Sequence, residues 1–182
     1  MSDVSSTPPP RKGLVQVFTG EGRGKTSAAL GTVIRALGNG LRVFITVFMK
    51  AGHPSGEWDI LSTLQNVDIA RFGAGPFVDP ANIKPQDKEE AAKALAAARQ
   101  AMLGGEYDLV VLDEVNVAVA WKLIKLEDVI NLISEKPADV ELIFTGRGAD
   151  KEIVRMADLV TEMLNIKHPY DEGTAARKGI EY

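Results

Sequence analysis

The chain has 182 residues, 45% of them apolar and 25% charged, the balance of an ordinary globular protein with enough length to bury a sizeable core. A formal net charge of −4 gives no basis for a general nucleic-acid-binding surface, so no nucleic-acid partner is expected. The absence of cysteine excludes disulfides, thiolate metal sites and a cysteine nucleophile, and no apolar run reaches the length of a membrane span. No signal peptide is recognised, and the expected compartment is the cytoplasm.

In chain order, residues 1–12, with Pro8-Pro9-Pro10, read as a flexible polar tail. Leu14–Phe18 is a short apolar strand, and a helical pattern opens at Lys25 and runs to about Leu37, with Ala29, Val33, Ala36 and Leu37 inward. Gly38-Asn39-Gly40 ends that helix. Arg42–Met49 is an almost continuous apolar run, as expected of a strand covered on both faces in a parallel sheet. A polar loop, a short helix to about Leu64 and a strand Val67–Phe72 follow. The loop from Phe72 to Val78 sets aromatics around two glycines and a proline.

Pro85–Leu103 is an alanine-rich helix with Asp87, Glu89 and Glu90 at its start and glycines at its end. Tyr107–Leu112 is the most apolar strand and runs into Asp113-Glu114. Helices near Val115–Trp121 and Leu126–Glu135, a strand Val140–Thr145, a helix near Lys151–Ala157 and a strand near Leu159–Leu164 complete the pattern. Regular alternation of strands and helices predicts an α/β fold, a three-layer sandwich around a mainly parallel sheet. Residues 13–182 read as a single domain.

The most informative stretch is Thr19-Gly20-Glu21-Gly22-Arg23-Gly24-Lys25-Thr26, which lies where a strand gives way to a helix. In that context glycines let the backbone curl so that N–H groups face an anion, and the helix N-terminus adds partial positive charge. Lys25 would bring a full charge to phosphates and the Thr26 hydroxyl a magnesium ligand. Thr19 stands where the usual loop has glycine. Ligands of an open parallel sheet gather beyond the carboxyl ends of its strands, which brings Lys50, the Gly73–Val78 loop, Asp113-Glu114 and Arg147 to the same side. A carboxylate at the end of a buried strand suits magnesium, although Asp113 could equally cap the next helix. Arg147 could clamp a phosphate or sit in a surface ion pair. Trp58 and Trp121 are expected mainly in the core, and the two histidines, His53 and His168, do not suggest a metal site.

These residues carry a resemblance. Thr19-Gly20-x-Gly22-x-Gly24-Lys25-Thr26-x-Ala28-Ala29 resembles the variant phosphate loop of the P-loop corrinoid adenosyltransferases, including the initial threonine. Leu112-Asp113-Glu114 is similar to that family's magnesium strand and Thr145-Gly146-Arg147 to its late strand-end motif. The C-terminal stretch from Ala157 to Met163, Lys167-His168, Asp171-x-Gly173 and Gly179-Ile180-Glu181-Tyr182 resembles it most closely.

The resemblance implies a P-loop NTPase-like enzyme, a homodimer that moves the 5′-deoxyadenosyl group of ATP to the cobalt of a reduced corrinoid and releases triphosphate. The corrinoid would be cob(I)alamin or cob(I)yrinic acid a,c-diamide, reduced with the help of a flavoprotein, and ATP would lie reversed in the loop. It implies that Thr19, Gly20, Glu21, Gly22, Arg23, Gly24, Lys25, Thr26 and Ser27, with Arg147, bind the nucleotide. Lys25 and Glu114 would be the catalytic residues; Thr26 and Glu114 would hold magnesium, with Asp113 in support. Phe72, Phe77 and Val78 would face the corrinoid. The family's best-known members carry a longer N-terminal helix, and they place an aromatic pair where Pro76 and Val78 stand here, which leaves Phe77, and after it Phe72, as the large group to act as a wedge. A P-loop ATPase or kinase releasing ADP, and a non-catalytic nucleotide or corrinoid sensor, are the alternatives.

Overall fold

The structure, a computed structural model, describes residues 12–52, 55–75 and 78–180. The proline-rich tail up to Arg11, His53, Pro76, Phe77 and the terminal Glu181-Tyr182 lie outside the described residues. Elements run in the order β1 (Val15–Thr19), α1 (Lys25–Gly38), β2 (Val43–Val47), α2 (Gly56–Leu61), β3 (Val67–Arg71) and α3 (Pro85–Leu103). After these come β4 (Leu109–Asp113), α4 (Val115–Ala120), α5 (Leu126–Ser134), β5 (Glu141–Thr145), α6 (Lys151–Met156) and β6 (Leu159–Glu162). The strands form one sheet in the order β3-β2-β4-β5-β1-β6, and every pairing is parallel.

Side-chain alternation along the strands feeds two cores. Val43, Ile45, Val47, Leu109, Val111 and Ile143 meet α1 and α2 through Ala29, Val33, Trp58 and Leu61. Val15, Val17, Val110, Leu112, Leu142 and Phe144 face α3 to α6 on the other side, against Ala94, Ala98, Val129, Leu132 and Ile153. The alanine stripe of α3 is what lets that helix lie close on the sheet, since each alanine adds little thickness. Every residue of β4 is buried, which explains why it reads as unbroken apolar sequence.

The predicted elements are all present, with boundaries moved for identifiable reasons. The expected start of β4 at Tyr107 is two residues early. Tyr107 instead donates its hydroxyl to Asp68, and Asp108 accepts the Arg42 N–H on its carboxylate, so the strand begins at Leu109. The expected strand to Leu164 stops at Glu162 because Met163 turns its backbone to the loop after β1. β6 is an exposed edge strand, exposed at all four positions.

Beneath β1 and β5, Lys136 donates from Nζ to the carbonyls of Gly13, Pro137 and Val140, each at 2.9 Å. Burial pushes this amine below the usual lysine range, with the carboxylates of Glu141 and Asp158 opposing that shift. Lys136→Met keeps the length but removes three charge-assisted bonds from one corner of the sheet. It should cost about 2 kcal/mol, read as a lower urea midpoint with an unchanged slope.

Candidate functional site

The loop between β1 and α1 is built as a cradle, and its walls come from far along the chain. Gly24 caps α1 in the left-handed region, with φ 117°. A Cβ added to Gly20 would fall 2.5 Å from the Met163 carbonyl oxygen, and one added to Gly22 would fall 2.5 Å from that of Leu164. Gly22 donates its N–H to Met163 O at 2.7 Å, and Met163 returns a bond to Thr19 O at 2.8 Å. The glycines are therefore required by the backbone that passes behind them as well as by the curl toward an anion. Gly22 spends its N–H on that backbone. Thr19, the departure from the usual motif, accepts the Ala149 N–H on its hydroxyl at 3.2 Å and so ties the loop to the turn after β5.

Lys25 folds back over the cradle and donates to Gly20 O at 2.8 Å and Gly22 O at 2.6 Å. Burial and then the charge of Arg147 push its pKa down, against the pull of Glu114 and Glu21. A bound anion would reverse that balance and draw the amine off its own loop.

Two strands away, Asp113 ends β4 with no solvent exposure. Its Oδ1 accepts from the hydroxyls of Thr26 (2.8 Å) and Thr145 (2.7 Å). Lys50 Nζ lies 3.4 Å from Asp113 Oδ2 and 2.9 Å from Glu114 Oε1. Burial alone would depress Lys50, but the charges of Asp113 and Glu114 outweigh it and hold the amine above the ordinary lysine range. Glu114 has a positive φ of 66° and donates its N–H to Thr145 Oγ1 at 2.9 Å. Behind it, buried Asn116 reaches Gly146 O with its amide at 3.4 Å, while its Oδ1 has no hydrogen-bond partner among the described residues.

Of the predicted residues, the structure brings together Thr26, Asp113 and Glu114, with Lys25 in the neighbouring cradle. It is Asp113, not Glu114, that bonds Thr26 directly. Arg147 pairs with Glu21 at 3.2 Å, and both side chains are largely exposed. Arg23 donates to the Ile180 carbonyl, and Ser27 is exposed. Phe72 and Val78 are half-buried and pack against the α3-side core. Phe77 lies outside the described residues. Trp58 is core, and His168 accepts the Tyr170 N–H on Nδ1. The sequence puts Lys50 on the ligand side of the sheet and Thr145 in a strand-end motif without giving either a role; a polar side chain at or just beyond the end of an apolar strand is the signal available for each.

The donor set suits magnesium: one hydroxyl and two carboxylates, all hard oxygens, at the mouth of a phosphate cradle. Among the described residues no group of three or more His, Asp or Glu could hold a metal alone. An ion here would need phosphate oxygens to complete its shell, as magnesium in nucleotide sites does.

A glycine-rich loop joining a parallel strand to a helix, with a buried strand-end aspartate bonded to its threonine, defines a P-loop NTPase-like α/β protein. Residues 11–182 match the family model described as ATP:corrinoid adenosyltransferase BtuR/CobO/CobP. The chain is 35% identical to a corrinoid adenosyltransferase of Escherichia coli (strain K12), over 94% of this chain and 86% of that protein. It is 34% identical to corrinoid adenosyltransferase CobA of Salmonella typhimurium (94% and 86%) and 35% identical to a corrinoid adenosyltransferase of Pseudomonas aeruginosa (94% and 84%). The chain belongs to the ATP:corrinoid adenosyltransferase family.

The close passage of residues 163–164 predicts that Gly22→Ala destabilises the protein by about 2 kcal/mol and abolishes nucleotide binding, since the added methyl meets backbone. Gly31→Ala, inside α1 with nothing within 4 Å of its would-be Cβ, should instead stabilise by about 0.5–1 kcal/mol. Thermal unfolding and ATP titration of both variants check the contrast.

Proposed function

We propose that this chain transfers the 5′-deoxyadenosyl group of ATP to the cobalt of a reduced corrinoid, cob(I)alamin or cob(I)yrinic acid a,c-diamide, in the cytoplasm. The observation that carries this reading is the Thr26–Asp113–Thr145 chain of hydrogen bonds, set beside the phosphate cradle in a member of this family. Residues 13–182 act as one catalytic domain. Among the described residues no helix is long and apolar enough to cross a membrane.

Cobalt(I) brings its own electron pair, so no general base is needed. As the cobalt–C5′ bond forms, the C5′–oxygen bond breaks and its electrons leave with triphosphate. The protein's tasks are alignment and stabilising the charge that builds on the leaving group. Lys25, released from the carbonyls of Gly20 and Gly22, carries the main positive charge to the phosphates. The cradle from Thr19 to Ser27 holds their oxygens, and Arg147 adds a guanidinium once it leaves its exposed pair with Glu21. Thr26, Asp113 and Glu114 hold magnesium, which when bound stabilises negative charge on triphosphate.

Loop 72–78 forms the corrinoid wall. Phe72 and Val78 are its base, packed on the core, and Phe77 is the wedge against the lower axial ligand. Reduction to cobalt(I) draws on a flavoprotein. The chain works as a homodimer; the exposed apolar residues Leu159, Val160, Leu164 and Ile166 along the β6 edge support a self-association surface.

Incubation with ATP, magnesium and chemically reduced corrinoid should yield adenosylcorrinoid and triphosphate. ADP as product would make the protein an ATPase or kinase, and binding without turnover a sensor. Lys25→Ala should lower the transfer rate about 10²–10³-fold with an unchanged unfolding midpoint. Normal turnover in that folded variant would remove the phosphate-loop role.

A further inference from the structure

Lys50 occupies the place in the site where a metal's charge would be expected. Its ammonium touches Glu114 Oε1 at 2.9 Å and lies 3.4 Å from Asp113 Oδ2. The other oxygen of Asp113 is already taken by two hydroxyls, so Oδ2 is the face left for a cation. The backbone around Lys50 is held on both sides: its N–H donates to Phe72 O at 3.0 Å and its carbonyl accepts from Arg71 at 2.8 Å. The residue before it, Met49, has a φ of 64°, and Glu114 across the sheet has one of 66°. Left-handed conformations are uncommon for non-glycine residues and persist where surrounding structure enforces them, chiefly at functional sites. Here two of them, at the ends of neighbouring strands β2 and β4, deliver the two halves of one ion pair.

We propose that Lys50 is a positioning residue that serves as the site's resident counter-cation, neutralising Asp113 and Glu114 until a divalent ion arrives with a nucleoside triphosphate. This rests on the reading that the site takes a metal–nucleotide complex. Without nucleotide, the two carboxylates are balanced by Lys50 and nearby Lys25, and a divalent ion would have to enter against both ammonium groups. With nucleotide, the phosphates bring the negative charge that makes room for the ion. Lys50, tethered at its backbone, then exchanges Glu114 for a phosphate oxygen. The consequence is order: metal enters with the nucleotide and not before it. Lys50 thereby suppresses metal binding to the empty site and still leaves a positive charge beside the phosphates after the exchange.

The test is Mn²⁺ binding to the full chain, measured from the free-ion electron paramagnetic resonance signal, with and without ATP. The parent and Lys50→Arg should bind Mn²⁺ weakly alone and far more tightly with ATP. Lys50→Met should bind it at least tenfold more tightly than the parent in the absence of ATP. Equal nucleotide-free affinity in Lys50→Met and the parent would overturn the proposal. A second measurement needs only folded parent protein: the Lys50 Nζ nitrogen resonance, assigned by its loss in Lys50→Arg. It should shift on adding Mg²⁺ with ATP and stay in place with millimolar Mg²⁺ alone. A shift with Mg²⁺ alone, or none with Mg²⁺ and ATP, would also overturn it. If ATP binds equally well in chelator and in Mg²⁺, the metal–nucleotide reading itself fails, a result distinct from either of these.

Discussion

A carboxylate without solvent contact has to be matched by its surroundings, because a buried charge left unpaired costs several kcal/mol. Asp113 is that carboxylate. Its partners come from three separate places: Thr26 in the first turn of α1, Thr145 at the end of β5, and Lys50 just beyond β2. Meeting that one demand aligns the start of α1 with the ends of three strands. The phosphate cradle, which hangs between β1 and α1, inherits its orientation from the arrangement. Position and charge compensation are therefore one requirement here. A substitution that satisfied Asp113 differently would also move the cradle.

The parts of this fold that sequence reveals are those whose signal is local. The apolar run Leu109–Leu112 announces a strand covered on both sides, and α3 is recognisable end to end because proline opens it, acids follow, and glycines close it. Glycine, lysine and threonine at the strand–helix junction identify the cradle for the same reason. Illegible features are those that depend on residues meeting across the sheet. Nothing near Gly22 says that the Leu164 carbonyl leaves room for a hydrogen and not a methyl, and nothing near Lys50 says that two acids more than sixty positions away await its amine. Arg147 shows the same limit from the other side: a strand-end motif leaves open a phosphate clamp or a surface pair, and without a ligand the side chain rests on Glu21.

Two left-handed non-glycine residues stand at the candidate site. Of the four non-glycine residues with positive φ among the described residues, Glu114 belongs to the acidic pair and Met49 precedes its lysine partner, while Asn66 and Lys122 lie elsewhere in turns. Met49 lies two residues beyond β2, between Phe48 and Lys50, whose N–H groups donate to Asp113 O and Phe72 O, while Glu114 directly follows β4 and donates its N–H to Thr145 Oγ1. A conformation that would relax in an isolated segment is held here by neighbours on both sides. The unsatisfied oxygen of Asn116 just behind Glu114 belongs to the same pattern, with local stability spent in the walls of the site.

The place of β1 in the sheet also bears on how the protein comes into being. β1 precedes both of its sheet neighbours, β5 and β6, by more than a hundred residues, and its flanking side-chain bonds span 127 positions to Glu141 and 143 to Asp158. β2, β3 and β4 can assemble among themselves much earlier in synthesis, whereas β1 must wait as an unpaired apolar segment. Its loop waits longer still, because residues 163–164 form its back wall. A growing chain thus carries the glycine-rich loop long before residues 163–164 exist to back it, so that any ligand of that loop can assist folding only at its last step.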